Sequence, residues 1–365
     1  MKFAHLAAGL CLLLSACGGP AVSSDLAAAL DAQLRANAER YGPPAQAVLV
    51  LHNGEVLYRN QMGLADVEAG RAVRPDDVYG VYSVSKLFAS TLILELADQG
   101  RLDLKAPAAR YVSTLPAAWR EVQVDQLLSH VSGLPDFVSG ADETTVFPAT
   151  REEMFRITGE RPFDFPTGTQ ARYNQTNYVV LQAVLEAVYG MPYRDIVHGR
   201  IVEPLGLKDV YLGVENAPRD RLVSPYHGED GRLVPDRPIQ WRDYSVSHAE
   251  LYTTADDLGR FLTAVAQGRF ARRETLARLW RPYPLPNGGI GFASGWDYGE
   301  SGDYREVGHD GSVKVRVRLL FRGEDLSDHY VIVYLTNGTP ENTWTRTFVD
   351  SIQPIILRAG NSETP

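Results

Sequence analysis

Hydrophobic positions recur with a helical period near the start of the chain. Three leucines stand at every fourth position after the polar stretch Ser23–Asp25: Leu26, Leu30 and Leu34. This spacing places them on one face of a helix, and the polar residues before them suit its N-terminal cap. We therefore predict an amphipathic helix that ends before Tyr41.

Two short apolar runs then flank a turn dipeptide. Residues 47–51 form the first run, residues 56–58 form the second, and Asn53-Gly54 stands between them. Both turn residues accept a positive φ, which a tight hairpin turn requires. The pattern predicts an antiparallel β-hairpin.

The segment 83–99 is apolar on almost every side. Its large apolar residues leave no polar stripe: Leu87, Phe88, Leu92, Ile93, Leu94 and Leu96. A helix with this pattern is buried, and Gly100 supplies its C-terminal stop. Ser83 is expected at the N-terminal end of this buried helix and Lys86 one turn further in. A lysine in such a place needs a partner or a function.

The C-terminal part of the chain returns to β structure. We predict an amphipathic helix over Thr254–Gln267, strands over Lys314–Arg322 and His329–Thr336, and a closing helix over Thr343–Leu357. The alternation of charged and apolar residues in the first of these strands is typical of a half-buried strand. The fold class is therefore α/β (α+β): one sheet built from both chain ends and flanked by helices, with a mainly helical inserted region over about 105–250.

Composition excludes one class of partner. The 365 residues are 44% hydrophobic and 22% charged, an ordinary balance for one or two globular domains. The formal net charge is −9 and the pI is near 5.4. An acidic surface repels phosphate backbones, so we expect no nucleic-acid partner. The sequence gives no indication of the oligomeric state.

The first residues have the features of an export signal. Lys2 precedes a short apolar run, 6–14, which is too short to span a bilayer. The run ends in Leu14-Ser15-Ala16-Cys17, which resembles the lipobox of bacterial lipoproteins. The resemblance implies a signal peptide over residues 1–16, a lipid on Cys17 and a tether over residues 17–24. A plain secretory signal, cleaved at about the same place, is the alternative.

The lipobox also implies a cellular location and limits the chemistry. A lipid on Cys17 implies anchoring in the cell envelope of a bacterium, facing the periplasm. Gly18 stands where an aspartate marks inner-membrane retention, which favours the outer membrane. Cys11 and Cys17 are the only cysteines, so the mature chain has no disulfide, thiol nucleophile or cysteine metal site. Covalent chemistry must then use an oxygen or an amine.

Six sequence blocks point to one family. In chain order they are Ser83–Lys86 (SVSK), Leu127–Pro135 (LLSHVSGLP), Tyr173–Tyr178 (YNQTNY), Pro204–Leu207 (PLGL), Thr253–Leu258 (TTADDL) and Val307–Gly311 (VGHDG). The set resembles the serine β-lactamase and penicillin-binding-protein superfamily, in the branch of class C β-lactamases, D,D-peptidases and related esterases. The resemblance implies a β-lactamase/transpeptidase-like fold with an antiparallel sheet. It also implies one serine hydrolase domain over residues 25–358, followed by a tail over 359–365.

The resemblance assigns a role to each key residue. Ser83 would be the nucleophile of an acyl-enzyme, and Lys86 and Tyr173 would move protons. The backbone N–H groups of Ser83 and Ser312 would form the oxyanion hole. The other predicted substrate-binding positions are Gln175, His309 and Gly311. We expect a small-molecule or peptide substrate and neither a metal nor a cofactor.

The residue types explain why the spacing of Ser83 and Lys86 matters. A serine hydroxyl is a weak nucleophile until a base takes its proton. Two residues three apart on a helix share one face and lie near hydrogen-bonding distance. Burial lowers the pKa of a lysine, so that a neutral amine can act as the base. The helix N-terminus also favours the negative charge that develops on the serine.

Each assignment has a structural alternative. Ser83 can be only a helix cap, and Tyr173 only a core aromatic residue. We interpret His130 as structural. For His309 we favour a position in the cleft, with ordinary strand packing as the alternative.

Two further segments are interpreted without a catalytic role. Residues 245–248 (SVSH) repeat the Ser-Val-Ser tract without a lysine or an apolar helix, and we predict a loop there. Asp310 and Lys314 are predicted to be an ordinary strand-end and surface pair.

Four features depart from the family pattern, and one of them is Ser312–Val315 in place of a glycine-rich stretch. Gln175 stands where the family has asparagine, which moves the amide outward by one methylene. Asn174 and Asn177 are near enough to replace it in principle. Ala249-Glu250 replace a small-residue pair, and a Glu250 that faced the cleft would disfavour anionic substrates. His309 stands in place of a lysine and lacks the permanent charge that grips a β-lactam carboxylate.

These observations predict a serine hydrolase that cleaves an ester or amide bond through a Ser83 acyl-enzyme. The substrate class is a D-amino-acid peptide or a small ester, and the sequence leaves both open. One alternative is a class C-type β-lactamase with weak turnover. The other is a catalytically silent binding protein on the same fold, which the changes at Gln175 and Glu250 would allow.

Overall fold

The computed structural model describes residues 24–362, except Glu143, Pro238 and Gln240. The predicted signal peptide and the predicted lipidation site at Cys17 lie outside the described residues. Within the described part of the chain, no helix combines the length and the apolar character needed to cross a membrane.

Ten α-helices are found in the described residues. They are α1 (Ser24–Tyr41), α2 (Lys86–Asp98), α3 (Val124–Leu128), α4 (Arg151–Gly159), α5 (Thr176–Tyr189), α6 (Tyr193–Val197), α7 (Glu203–Leu205), α8 (Ala255–Ala266), α9 (Arg273–Leu279) and α10 (Thr345–Ser362). The helices α1, α2, α8 and α10 correspond to the four predicted from hydrophobic spacing. Helix α10 continues through Ser362, into the segment predicted as a tail.

Seven strands form the main antiparallel sheet, in the order β3-β2-β1-β12-β11-β10-β9. Their bounds are β1 (Ala45–His52), β2 (Glu55–Asp66), β3 (Arg71–Ala72), β9 (Asp297–Ser301), β10 (Tyr304–Gly311), β11 (Val315–Arg322) and β12 (Asp328–Thr336). The first and last strands of the chain meet where β1 pairs with β12. The predicted hairpin is confirmed, and its turn residues Asn53 and Gly54 have positive φ angles of 52° and 92°. The sheet built from both chain ends confirms the predicted fold class.

Five short strands lie outside this sheet. They are β4 (Tyr79–Gly80), β5 (Val210–Leu212), β6 (Tyr226–Glu229), β7 (Arg232–Pro235) and β8 (Leu251–Thr253). Strands β4, β8 and β5 form a small sheet, and β6 and β7 form a hairpin. The region between the two halves of the main sheet is therefore helical with short strands at its edges.

The main sheet is covered on both faces. Successive residues of a strand point to opposite faces, so Val48 and Val50 belong to one hydrophobic cluster and Leu49 and Leu51 to the other. Helices α1 and α10 cover the first face, which accounts for the leucine stripe of α1. Helix α8 packs directly on the second face, and α2 and α5 belong to the same hydrophobic cluster. The turn that carries Ser83 contacts β10 and β11 on this face.

The predicted strand forms over Val315–Arg322, but the prediction that it is half-buried is wrong. The side chains of Arg316 and Arg318 are only 3% and 2% exposed, because α10 covers their face of the sheet. Both guanidinium groups bind Asp310, at 2.7 and 2.9 Å, and both also pair with Glu306. Buried charges persist in such a place only when they are paired.

The predicted surface pair of Asp310 and Lys314 is also absent from the described structure. Asp310 is the acceptor for the two buried arginines of β11. Lys314 is buried, and its ammonium contacts Asp236 at 2.9 Å. The sequence spacing suggested a strand-end pair, but the partners come from other segments of the chain.

Candidate active site

Ser83 lies in a 3-10 turn, Tyr82–Ser85, that leads directly into α2. The sequence predicted Ser83 within the helix itself, but the α-helix begins at Lys86. Tyr82 has a positive φ of 47°, which is uncommon for a residue with a side chain. The hydroxyl of Ser85 donates to Tyr82 O at 2.5 Å and accepts from Leu251 N at 3.0 Å. These bonds fix the turn and leave the Ser83 side chain half-buried beside a cleft.

Lys86 is fully buried and lies next to Ser83. Its Nζ is 3.5 Å from Ser83 Oγ and donates to the main-chain carbonyl of His248 at 2.7 Å. Burial holds the pKa of Lys86 well below its ordinary value, against the opposing charge of Asp136. Burial also raises the pKa of Asp136. The lysine amine is therefore disposed to be neutral and to accept a proton.

Tyr173 lies against the lysine. Lys86 Nζ is 4.8 Å from the centroid of the Tyr173 ring. Burial raises the pKa of Tyr173 well above its ordinary value, and the nearby Ser83 hydroxyl opposes that rise. The Tyr173 hydroxyl is buried and has no partner of good hydrogen-bond geometry among the described residues. Burial thus keeps the phenol protonated at neutral pH, beside Lys86 and Ser83.

A cleft of about 530 Å³ opens beside the nucleophile. Ser83 and Ser312 both border it, and Ser312 is an exposed residue with a φ of 54° directly after β10. The segment that ends in Gly311 packs tightly against the nucleophile turn. A Cβ atom at Gly311 would lie 2.3 Å from the carbonyl oxygen of Val81. Only a glycine at this position lets β10 approach closely enough to bring Ser312 to the cleft.

Gln175 also borders the cleft, at the residue before α5. Its side-chain oxygen is buried and has no hydrogen-bond partner among the described residues. The two asparagines considered as replacements for Gln175 form hydrogen bonds with other groups. Asn174 donates to Leu134 O at 2.6 Å, and Asn177 accepts from Ser132 Oγ at 2.6 Å. Of these three amide residues, Gln175 is the one that borders the cleft, and its contact with a substrate stays a prediction.

His309 is placed behind Tyr173 and is not among the residues that border the cleft. The two rings are 5.7 Å apart, and His309 is buried. Its Nδ1 lies 2.7 Å from the carbonyl of Asp310, an acceptor, so the ring proton sits on Nδ1. Burial lowers the pKa of His309, which keeps the ring neutral. Its contact with substrate stays a prediction.

His130 also packs against the Tyr173 ring. Its ring is 4.6 Å from the Tyr173 ring, and its Nδ1 accepts from Asn174 N at 3.2 Å. Its main-chain carbonyl accepts from Arg172 N at 2.9 Å. These contacts agree with the structural role that we expected for His130.

The segment 245–248 is not the loop that we predicted. It forms buried 3-10 turns over Asp243–His248, and its last carbonyl is the acceptor for Lys86. Ser247 Oγ donates to Tyr178 O at 3.0 Å, which ties the segment to α5. Nothing in the tract itself signals this role, because the contact uses a main-chain atom.

The aromatic walls of the cleft were also missed from the sequence. Tyr82, Trp241 and Tyr252 border it, and Trp241 packs edge-on against His248 with ring centroids 4.3 Å apart. Glu250 borders the same cleft, which is the position in which we expected it to disfavour anionic substrates. Tyr82 could have been predicted to border the cleft, because it directly precedes Ser83 in the sequence. Trp241 could not, because it lies in a segment without a recognisable pattern.

Comparison with known proteins gives a consistent set of relatives. The family model described as Beta-lactamase matches residues 30–347. Esterase EstB of Burkholderia gladioli is 30% identical over 315 residues, which cover 76% of this chain and 79% of that protein.

Two solved structures share the fold. The D-amino acid amidase from Ochrobactrum anthropi SV3, complexed with D-phenylalanine, has a TM-score of 0.78 at 22% identity. That match covers 92% of this chain and 100% of the amidase chain. The octameric penicillin-binding protein homologue from Pyrococcus abyssi has a TM-score of 0.74 at 23% identity, covering 91% and 77% of the two chains.

Proposed function

The chain belongs to the Beta-lactamase family, and on that premise we propose that it is a serine hydrolase that cleaves an ester or amide bond through an acyl-enzyme on Ser83. One observation carries the proposal: the buried amine of Lys86 lies 3.5 Å from Ser83 Oγ at the edge of an open cleft. A helix cap alone requires neither the buried lysine nor the cleft.

The first step forms the acyl-enzyme. The neutral amine of Lys86 takes the proton of Ser83 as Oγ bonds to the carbonyl carbon of the substrate. The electron pair of the carbonyl moves onto its oxygen, which the N–H groups of Ser83 and Ser312 would stabilise. When the pair returns, the bond from the carbonyl carbon to the leaving oxygen or nitrogen breaks.

Tyr173 then acts as the acid for the leaving group. A group that must give up a proton at neutral pH has to be protonated beforehand, and burial keeps Tyr173 in that form. The phenol protonates the departing oxygen or nitrogen and is reprotonated from the ammonium of Lys86. This division makes Lys86 the base and Tyr173 the acid.

Water releases the acyl group by the same path in reverse. Lys86, neutral again, takes a proton from a water molecule that attacks the acyl carbon. Collapse of the intermediate breaks the bond to Ser83 Oγ, which recovers a proton. Atoms and protons balance over the cycle, and the products are an acid and an alcohol or amine.

Esters and amides suit this site better than β-lactams do. The position of the expected lysine is held by His309, whose pKa is lowered by burial and whose ring is therefore uncharged. Glu250 adds a carboxylate to the cleft. Both features weaken the grip on the carboxylate that β-lactams carry, so we expect slow β-lactam turnover at most.

We also propose that the enzyme is a lipoprotein of the bacterial cell envelope, on the Leu14–Cys17 motif. In a Gram-negative host, metabolic labelling with an alkyne fatty acid should label the wild-type protein and not Cys17→Ser. Release of unlabelled wild-type protein into the periplasm contradicts this part of the proposal.

Hydrolysis of p-nitrophenyl butyrate tests the proposed activity. We expect Ser83→Ala to lower kcat/KM by at least about 1,000-fold, because the nucleophile is lost. Ser113→Ala, which removes an exposed serine away from the cleft, is the matched control and should match wild type. Equal activity of Ser83→Ala and wild type, or no activity in the folded wild type, contradicts the proposal. The second result favours a silent binding protein.

A further inference from the structure

Glu250 borders the catalytic cleft at a point coupled to the nucleophile turn. It directly precedes β8 and is 7% exposed. The next residue, Leu251, accepts from Val81 N at 2.9 Å and donates to Ser85 Oγ at 3.0 Å. The residue next to Glu250 therefore forms the hydrogen bonds that hold Val81 and Ser85, which flank Ser83 on either side.

The Glu250 carboxylate has no cation of its own. Among the described residues, no lysine, arginine or histidine forms an ion pair with it. Arg194 acts on it from a distance, but that guanidinium is bound to Asp243 at 2.8 Å. Glu215 adds a second negative charge nearby. Burial raises the pKa of Glu250 to about 7, which brings the titration of this carboxyl into the neutral range.

The surroundings of this carboxylate suit a positively charged ligand group. A buried carboxylate without a cation is costly, and a ligand cation removes that cost. The rings of Tyr82, Trp241 and Tyr252 border the same cavity, and aromatic faces attract ammonium groups. Two more carboxylates, Asp142 and Asp236, and one guanidinium, Arg237, border it as well. Asp236 is already paired with Lys314, whereas the Glu250 carboxylate is met by the Val214 N–H and the Tyr252 hydroxyl and by no cation at ion-pair distance among the described residues.

We propose that the acyl part of the substrate carries a protonated amine that binds Glu250, so that the preferred substrates are amino-acid esters or amides with an unblocked amine. This inference rests on the proposed hydrolase function and narrows its substrate class. In this arrangement the scissile carbonyl lies at Ser83 and the ammonium lies between Glu250 and the aromatic wall. Glu250 is a specificity residue and takes no part in proton transfer at the scissile bond.

The test compares substrates that differ only in that amine. The probes are alanine p-nitroanilide, in D and L forms, and the N-acetylated version of each. At about pH 7.5 the free amine is mostly protonated and Glu250 is mostly ionised. We expect wild type to prefer the better free-amine enantiomer over its capped form by at least about tenfold in kcat/KM. In Glu250→Gln this ratio should fall by about tenfold, whereas Glu121→Gln, an exposed carboxylate away from the cleft, should keep it.

A second measurement needs no variant. The wild-type ratio should fall as the pH drops through about 7, because Glu250 loses its charge while the amine keeps its own. Titration of Lys86 affects both substrates alike and cancels in the ratio. The other charged or titratable groups that act on Glu250 are Arg194, Glu215 and Tyr252. A ratio that is constant between about pH 5 and 7.5 overturns the inference.

The outcomes separate the inference from the proposed function. Unchanged preference in Glu250→Gln, or hydrolysis of p-nitrophenyl butyrate without any preference for a free amine, overturns the inference and leaves the hydrolase intact. Absence of turnover with every probe overturns both. Loss of the preference in Glu250→Gln alone, with a melting temperature close to that of wild type, supports the inference.

Discussion

The Nζ of Lys86 donates a hydrogen bond to the main-chain carbonyl of His248 at 2.7 Å. A carbonyl is uncharged, so it orients the amine without the strong stabilisation of the charged form that a carboxylate would provide. A neutral amine has two N–H groups and one lone pair. With one N–H directed to His248, the lone pair is free to face Ser83 Oγ, 3.5 Å away.

The first prediction concerns the charge of residue 86. Lys86→Arg keeps a cation of similar length but cannot give a neutral base, because a guanidinium stays protonated. We expect kcat/KM for p-nitrophenyl butyrate to fall by at least about 100-fold in Lys86→Arg and to a similar degree in Lys86→Met. Activity within tenfold of wild type in the arginine variant would refute the role of Lys86 as base.

The second prediction concerns the pH profile. Burial lowers the pKa of Lys86 and raises that of Tyr173, so the active form has Lys86 neutral and Tyr173 protonated. Activity on the neutral butyrate ester should rise with pH as Lys86 deprotonates, and then stay level to at least about pH 9. The pH dependence of kcat/KM measures this. A rate that still climbs at about pH 10 would show an unshifted lysine.

The third prediction separates the acid from the base. Tyr173→Phe removes the proton donor for the leaving group, which an anilide nitrogen requires and a p-nitrophenolate does not. We expect this variant to lose at least about tenfold more activity on a p-nitroanilide than on a p-nitrophenyl ester with the same acyl group. Lys86→Met serves as the contrast, since it should affect both substrates similarly. An equal loss on both substrates in Tyr173→Phe would contradict the acid role.

The fourth prediction concerns the approach of β10 to the nucleophile turn. Gly311→Ala places a Cβ 2.3 Å from Val81 O, so the strand end must move. We expect a loss of about 1–3 kcal/mol in the free energy of unfolding and a fall in kcat. The control is Gly199→Ala, because a Cβ there meets no atom within 4 Å and its φ is not positive. Urea unfolding compares the two variants, and equal stability would argue against a tight approach at Gly311.

The parts of the fold that depend on local spacing were predictable. The leucine stripe of α1 and the Asn53-Gly54 turn are short-range features, and both predicted elements form. The alternation of charged and apolar residues over 314–322 wrongly suggested a half-buried strand, because burial depends on what covers the strand. Helix α10 covers Arg316 and Arg318, and acidic residues distant in the sequence neutralise them.

The residues of the candidate site also differ in how far the sequence could predict their places. The spacing of Ser83 and Lys86 predicts their proximity, since both lie on one continuous segment. The carbonyl of His248 and the ring of Trp241 arrive from a segment more than 150 residues away along the chain. A main-chain acceptor leaves no mark on the residue type, so no sequence pattern announces it.

The activation of Ser83 by Lys86 is tested most directly by the rate and place of covalent labelling by a fluorophosphonate, read by peptide mass spectrometry. We predict one adduct, on Ser83, that is absent from Ser83→Ala and forms at least about 100-fold more slowly in Lys86→Met. An adduct on another residue, no adduct on the folded wild type, or wild-type labelling rates in Lys86→Met would contradict it.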